Sequence, residues 1–155
     1  MSFQLTSLSA DADIERLAVE LSPGFGGEVD AARALLKANL DLLSRVPRPS
    51  PWGCYLARDG EATVGSCAFK SAPDEQGVVE IAYMTFPAFE RRGHAGNMIS
   101  ALTGIARTAG APLVIAHTLP VDNASNSALR RNHYSFAGEV TDPEDGLVWR
   151  WERAG

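Results

Sequence analysis

Glu90–Met98, ERRGHAGNM, lies between the alternating apolar run Val78–Phe86 and a helical segment that ends near Gly110. A strand therefore runs into a basic, glycine-containing turn that opens a helix. That arrangement makes an anion site. About four backbone N–H groups in the first turn of a helix have no intrahelical partner, and the macrodipole adds roughly half a positive charge there. Gly93 and Gly96 let the backbone approach a ligand closely, Ala95 adds little bulk, and Arg91 and Arg92 contribute full charges. A diphosphate fits such a cradle. A basic residue beside a glycine is also common at ordinary strand–helix junctions, so the turn alone names no ligand. The chain has neither G-x-x-x-x-G-K-[ST] nor G-x-G-x-x-G here, which argues against a P-loop nucleotide and a Rossmann dinucleotide.

Outward from this turn, periodicity predicts the remaining elements. Phe3–Leu8 reads as a strand, and Asp11 and Asp13 offer N-caps to a helix with Ile14, Leu17, Ala18 and Leu21 on one face. SPGFGG, Ser22–Gly27, breaks that helix. A second helix, about Val29 to Arg45, has Val29, Ala32, Leu36, Leu40 and Leu43 as its apolar stripe. Arg48–Gly53 is a linker. Strands Trp52–Arg58 and Ala62–Ser71 follow, joined at Asp59-Gly60, a strong hairpin signal. In the next strand Val79, Ile81 and Tyr83 face one way, and Glu80, Ala82 and Met84 the other. After the glycine turn, Ala95, Met98, Ile99, Leu102, Ile105 and Ala106 share a helical face. Pro112–His117 is a short strand, expected to run parallel to its predecessor through the crossover helix. A helix over Asn123–Asn132 and a hairpin of Tyr134–Val140 and Leu147–Glu152 complete a mixed α+β layout.

The 155 residues suit one domain, able to bury about two-thirds of its unfolded surface. A net charge of −5 argues against nucleic acid as the main partner and slightly favours a cationic or amine substrate. No apolar run approaches the ~20 residues needed to span a bilayer, and the N-terminal residues lack signal-peptide character, so a cytoplasmic location without a membrane partner is expected. Cys54 and Cys67 fall in predicted strands and read as reduced core thiols, and no Cys/His cluster has metal-ligand spacing.

The order of elements, with a basic turn after the fourth strand, resembles the GNAT acyltransferase superfamily, in the Rim-type branch that includes ribosomal-protein N-terminal acetyltransferases. Three segments carry the resemblance. Val78–Met98 resembles the family's fourth strand and acetyl-CoA pyrophosphate loop, [Q/R]-x-x-[G/A]-x-[G/A], with Arg92, Ala95 and Asn97 on its fixed places. Thr118–Val140 is similar to the fifth-strand exit and fourth helix, with Asp122 at the usual Asn place, Asn123 beside it, Ser125 fitting, and His133-Tyr134 instead of Gly-Phe. DPEDGLVWRWE, Asp142–Glu152, is similar to the branch's last hairpin.

The resemblance implies a GNAT-like mixed, mainly antiparallel sheet of about seven strands flanked by four helices. It also implies acetyl-CoA as co-substrate. Its diphosphate would sit against Arg91, Arg92, Gly93, His94, Ala95, Gly96 and Asn97, and its pantetheine arm against the backbone of Met84, Thr85 and Phe86, with Asn123 and Ser125 nearby. Arg130 and Arg131 either reach the ribose phosphate or form a solvated helix face. Acyl transfer to an amine needs a proton acceptor. Glu80 is the leading candidate, His117 the second, and a structural carboxylate the alternative for Glu80. The family's fourth-helix Tyr aligns with Leu129, which leaves Tyr134, Ser125 or Ser127 as donors to the leaving thiolate. The acceptor, a small-molecule amine or a peptide N-terminus, is expected between Ser22–Gly27 and TDPEDG, Thr141–Gly146. Trp52, Trp149 and Trp151 read as core or sheet-face aromatics. A homodimer is compatible with the family. The rival reading is a domain of the same fold that binds acyl-CoA as a sensor without turnover.

Overall fold

A computed structural model describes residues 3–45, 49–121 and 123–154; Arg48 of the expected linker and Asp122 lie outside these. The described elements follow the expected order: β1 (Phe3–Ser7), α1 (Ile14–Leu21), α2 (Val29–Arg45), β2 (Cys54–Asp59), β3 (Ala62–Phe69), β4 (Val79–Thr85), α3 (His94–Thr108), β5 (Leu113–Thr118), α4 (Ala124–Arg131), β6 (Ser135–Asp142) and β7 (Gly146–Ala154). Asp13 caps α1 by accepting the Arg16 N–H, and Asn123 caps α4 by accepting that of Asn126. SPGF is not a plain break but a 3₁₀ turn that continues α1, because Pro23 suits a first helical turn and Gly26 reverses the chain at φ 66°.

The seven strands form one sheet in the order β1-β2-β3-β4-β5-β7-β6, antiparallel throughout except for β4 against β5. The parallel pair follows from α3, which carries the chain across the sheet. Two apolar layers enclose the sheet. Val79, Ile81, Val114, Ala116 and Trp151 pack with Met98, Ile99 and Leu102 of α3, whereas Ala68, Leu56 and Phe86 pack with Leu17, Leu21 and Leu36 of α1 and α2. Strand alternation thus decides which side each β4 residue serves. Cys67 belongs to the first layer and Cys54 to the second, so the sheet separates the two free thiols.

β3 and β4 approach most closely at Gly65. A Cβ there would lie 2.5 Å from the Met84 carbonyl oxygen and 3.0 Å from Met98 Cε. Backbone cannot yield as a side-chain tip can. Gly65→Ala is therefore expected to reduce the unfolding free energy by about 1–3 kcal/mol, read from the denaturant midpoint.

Candidate active site

The sheet opens between β4 and β5. Their pairing covers only Val79↔Val114, Glu80↔Ile115 and Ile81↔Ala116, although β4 continues to Thr85. On its other edge β4 stays paired with β3 up to Gly65↔Thr85, where the Lys70 N–H donates to Glu80 and the Phe86 N–H to Val64. Hydrogen-bonded and non-bonded pairs alternate in an antiparallel ladder. The backbone groups of Glu80, Ala82, Met84 and Phe86 therefore point to β3, and those of Tyr83 and Thr85 point to the opening. This corrects the expected backbone contacts at Met84 and Phe86. Phe86 is fully buried, pressed on Gly24 and Phe25. Thr85 has its backbone groups toward the opening, and Tyr83, not expected there, has too. Sequence periodicity had already put Tyr83 on the right face; the direction of its backbone groups requires the pairing partner.

A cleft of about 600 Å³ fills the opening, lined by Tyr83, Met84, Thr85, the turn Glu90–Ala95, Gly96, and Ala124, Ser125, Ala128 and Arg131 of α4. Arg92 is the member of that turn outside the lining. Gly93, at φ 82°, is the residue before α3, so His94, Ala95 and Gly96 carry the free N–H groups, while the Asn97 N–H already donates to the Gly93 carbonyl. Arg91 also adopts a positive φ, 67°, a conformation that costs a non-glycine residue about 1 kcal/mol or more and turns the loop toward the cleft.

Arg92 instead stacks 5.7 Å from the Phe89 ring, and Asn97 is solvent-exposed away from the lining. Two of the expected motif places thus lie off the cleft. The frame that fits the geometry starts two residues earlier, with Glu90 first and Gly93 and Ala95 at the small positions. His94 is buried between Phe3 and Phe89, and its Nδ1 has no hydrogen-bond partner among the described residues.

On the opposite face of β4, charged groups converge on Glu80. Its Oε2 meets His117 Nδ1 at 3.0 Å and Lys70 Nζ at 3.4 Å. The Asp142 carboxylate stands 4.0 Å from the same His117 nitrogen. The Asp142 carboxyl sits below its ordinary range, chiefly because the backbone N–H groups of Asp145 and Glu144 donate to it. Burial opposes the Lys70 charge, but Glu80 more than offsets this and raises the ammonium above its ordinary value. An Nδ1–H pointing at Glu80 leaves a lone pair on His117 Nε2, which is buried without a partner among the described residues.

Of the two tyrosines, Tyr83 and not the expected Tyr134 lies at the cleft. Tyr134 is buried, its hydroxyl shares a 2.7 Å hydrogen bond with Thr103 inside the core, and it does not line the cleft. Tyr83 does, with its hydroxyl 2.7 Å from Ser125 Oγ. Burial pushes the Tyr83 phenol up to about 12, only partly relieved by Ser125, so it remains a donor at neutral pH. Asn123 spends its side-chain oxygen on the α4 cap and does not line the cleft. The buried Asn126, which the sequence did not single out, holds the entry to α4 by accepting from Thr118 and donating to Val121. Arg130 and Arg131 part company: Arg131 borders the cleft, and Arg130 lies 5.0 Å over the Trp151 ring. Trp52 and Trp151 are core residues, and Trp149 rests half-buried on Phe136.

Comparison with known proteins converges on one family. No curated protein matches by sequence. Several solved structures share the fold at low identity. A RimL ribosomal L7/L12 α-N-protein acetyltransferase in complex with coenzyme A matches with a TM-score of 0.71 at 18% identity, covering 98% of this chain and 93% of its own. The microcin C7 self-immunity acetyltransferase MccE, in complex with acetyl-CoA and AMP, gives 0.71 at 12% identity, with 99% and 92% covered. The aminoglycoside acetyltransferase AAC(6')-Ib, in complex with coenzyme A, gives 0.69 at 16% identity, with 99% and 95% covered. The acetyltransferase (GNAT) domain model matches residues 4–135, which include the cleft, the helix-start cradle and Lys70, Glu80 and His117, and the chain belongs to the GNAT acetyltransferases.

Proposed function

We propose that this acetyltransferase moves an acetyl group from acetyl-CoA to a primary amine, on a small molecule or a peptide N-terminus, in the cytoplasm and by direct attack. One observation carries the reading. A single cleft joins three free N–H groups at the start of α3 to the open edge of β4, with Glu80 on the strand's other face. The cradle at His94, Ala95 and Gly96 suits a diphosphate, and Arg91 and Arg131 add charge at its rim. The open edge at Tyr83 and Thr85 suits an extended chain bearing amides, which binds as an added strand. A backbone N–H on this edge can also polarise a thioester carbonyl.

Glu80 takes the proton from the attacking amine, directly or through a water. Lys70 and His117 hold its Oε2, and no partner is recorded for Oε1 among the described residues. The Tyr83–Ser125 hydroxyl pair faces the leaving sulfur and stabilises it by hydrogen bonding. A thiol with an intrinsic value around 8.5 needs little more. No cysteine lines the cleft, and burial pushes the Cys67 thiol up to about 12, which supports a path without a covalent enzyme intermediate. The test is calorimetric titration with coenzyme A, followed by free-thiol release from acetyl-CoA with a panel of amines. Binding plus amine-dependent thiol release is expected. Absence of binding removes the reading.

Among the described residues, Glu90 is the one carboxylate in the cleft lining. It stands where a diphosphate would feel repulsion. Glu90→Gln is expected to tighten coenzyme A binding about two- to fivefold at low ionic strength, with the gain fading as salt is added. Titrations at two salt concentrations check it.

A further inference from the structure

A second cavity, of about 220 Å³, adjoins the cleft across β4. It shares Tyr83 and Met84 with the cleft, and its remaining lining is Leu35, Asn39 and Leu42 of α2 with Ser66, Cys67, Ala68 and Ala82 of the sheet. The β3–β4 register explains its floor. Ser66↔Met84 and Ala68↔Ala82 form successive rungs, and the alternation puts the Lys70–Glu80 ion pair on the same face one rung further on, ~7 Å along the strand. An apolar groove thus runs from the open edge of β4 toward the carboxylate that accepts the proton.

We infer that this groove holds the substituent of the acceptor, and that the acceptor is a primary amine on a carbon bearing a short, uncharged, largely apolar group. This rests on the proposed function and names its substrate class. Three observations carry it. The groove and the cleft share Tyr83 and Met84 as walls, so an amine seated at Glu80 has its substituent on the strand that borders the thioester. Among the described residues no lining residue is charged, and 220 Å³ lies below the roughly 300–1,000 Å³ of pockets for larger ligands. Lys70 stays charged one rung beyond the Ala68–Ala82 floor, where it repels a second positive group on the acceptor. Asn39 supplies the groove's amide. Its Nδ2 donates to the Leu35 carbonyl, which leaves the side-chain oxygen as the amide's acceptor for an N–H of the ligand. The acceptor region therefore moves from the expected space between Ser22–Gly27 and Thr141–Gly146 to the strip between α2 and β4.

The experiment compares kcat/KM, at saturating acetyl-CoA, for branched aliphatic monoamines, short peptides beginning with Leu or Met, a polyamine and an aminoglycoside. The monoamines or the peptides are expected to exceed both polycations by at least about 10-fold, and the better of these two arms identifies the source of the amine. Ala82→Leu fills the floor. It should lower kcat/KM for bulky acceptors by about 10-fold or more while changing methylamine and coenzyme A affinity less than twofold. Met84→Ala, at a position 40% exposed and so tolerant of truncation, should favour bulkier acceptors. Preference for a polycation, or equal losses across all amines in Ala82→Leu with Met84→Ala indifferent to size, overturns the inference while leaving coenzyme A binding intact. Loss of coenzyme A binding in the unmodified protein instead removes the proposed function itself.

Discussion

Glu80→Gln lowers kcat for amine acetylation by about 100-fold or more, while the coenzyme A dissociation constant stays within twofold. The size follows from general-base catalysis, which contributes typically 10²–10⁴-fold, and from the isosteric loss of a basic oxygen. Affinity stays because Glu80 faces away from the cleft that would hold the carrier: its neighbours are Lys70 and His117, not the α3 cradle. Single-turnover and steady-state rates with the same amine separate this from a binding defect. Unchanged kcat in Glu80→Gln would return Glu80 to a structural role and leave His117, with its unpaired Nε2, as the proton acceptor on this face. The variant removes one charge from the pair with Lys70, so its thermal midpoint should be recorded beside the rates.

Gly96→Glu separates stability from function in opposite directions. Gly96 is the third residue of α3, and a Cβ there meets only Asn132 Nδ2 at an ordinary 3.6 Å. Replacing glycine inside a helix contributes up to about 1 kcal/mol, and an acidic side chain in the first turn is favoured by the macrodipole. The thermal midpoint should therefore rise by roughly 2–4 °C. The same carboxylate projects beside the free N–H groups that would hold a diphosphate, competing for them and repelling the ligand. Coenzyme A affinity should fall about 100-fold or more, close to 2.7 kcal/mol. Calorimetry and a melting curve on one preparation read both signs. A variant that keeps wild-type affinity would move the anion site away from this helix.

The scaffold of the candidate site was legible before any tertiary information. Alternation along Val79–Met84 separated the core face from the face that carries Glu80, and the glycine turn announced the start of α3. The errors share a cause. Tyr134 read as a donor in place of the family's fourth-helix Tyr, but it lies past the end of α4, just before β6, and its hydroxyl meets Thr103 in the core. Met84 and Phe86 read as open backbone because they end the strand. Which backbone groups of a strand are free depends on the register with its neighbour, and β3 claims those of Met84 and Phe86. Arg92 and Asn97 matched a spacing pattern, whereas the positive φ of Arg91 and Gly93 decides which residues of the turn meet the cleft.

The sequence by itself determined the element order, the mixed sheet and the parallel crossover after β4, because periodicity and turn chemistry are local and repeat every few residues, and the family was legible only as a resemblance of three segments. Only the tertiary structure decided that Lys70, Glu80, His117 and Asp142 meet, since Lys70 directly follows β3 and the others come from β4, β5 and β6, and their distances depend on strand order and register. It also decided where the sheet opens. The end of β4–β5 pairing after Ile81 is a property of how two strands diverge, which neither strand encodes alone.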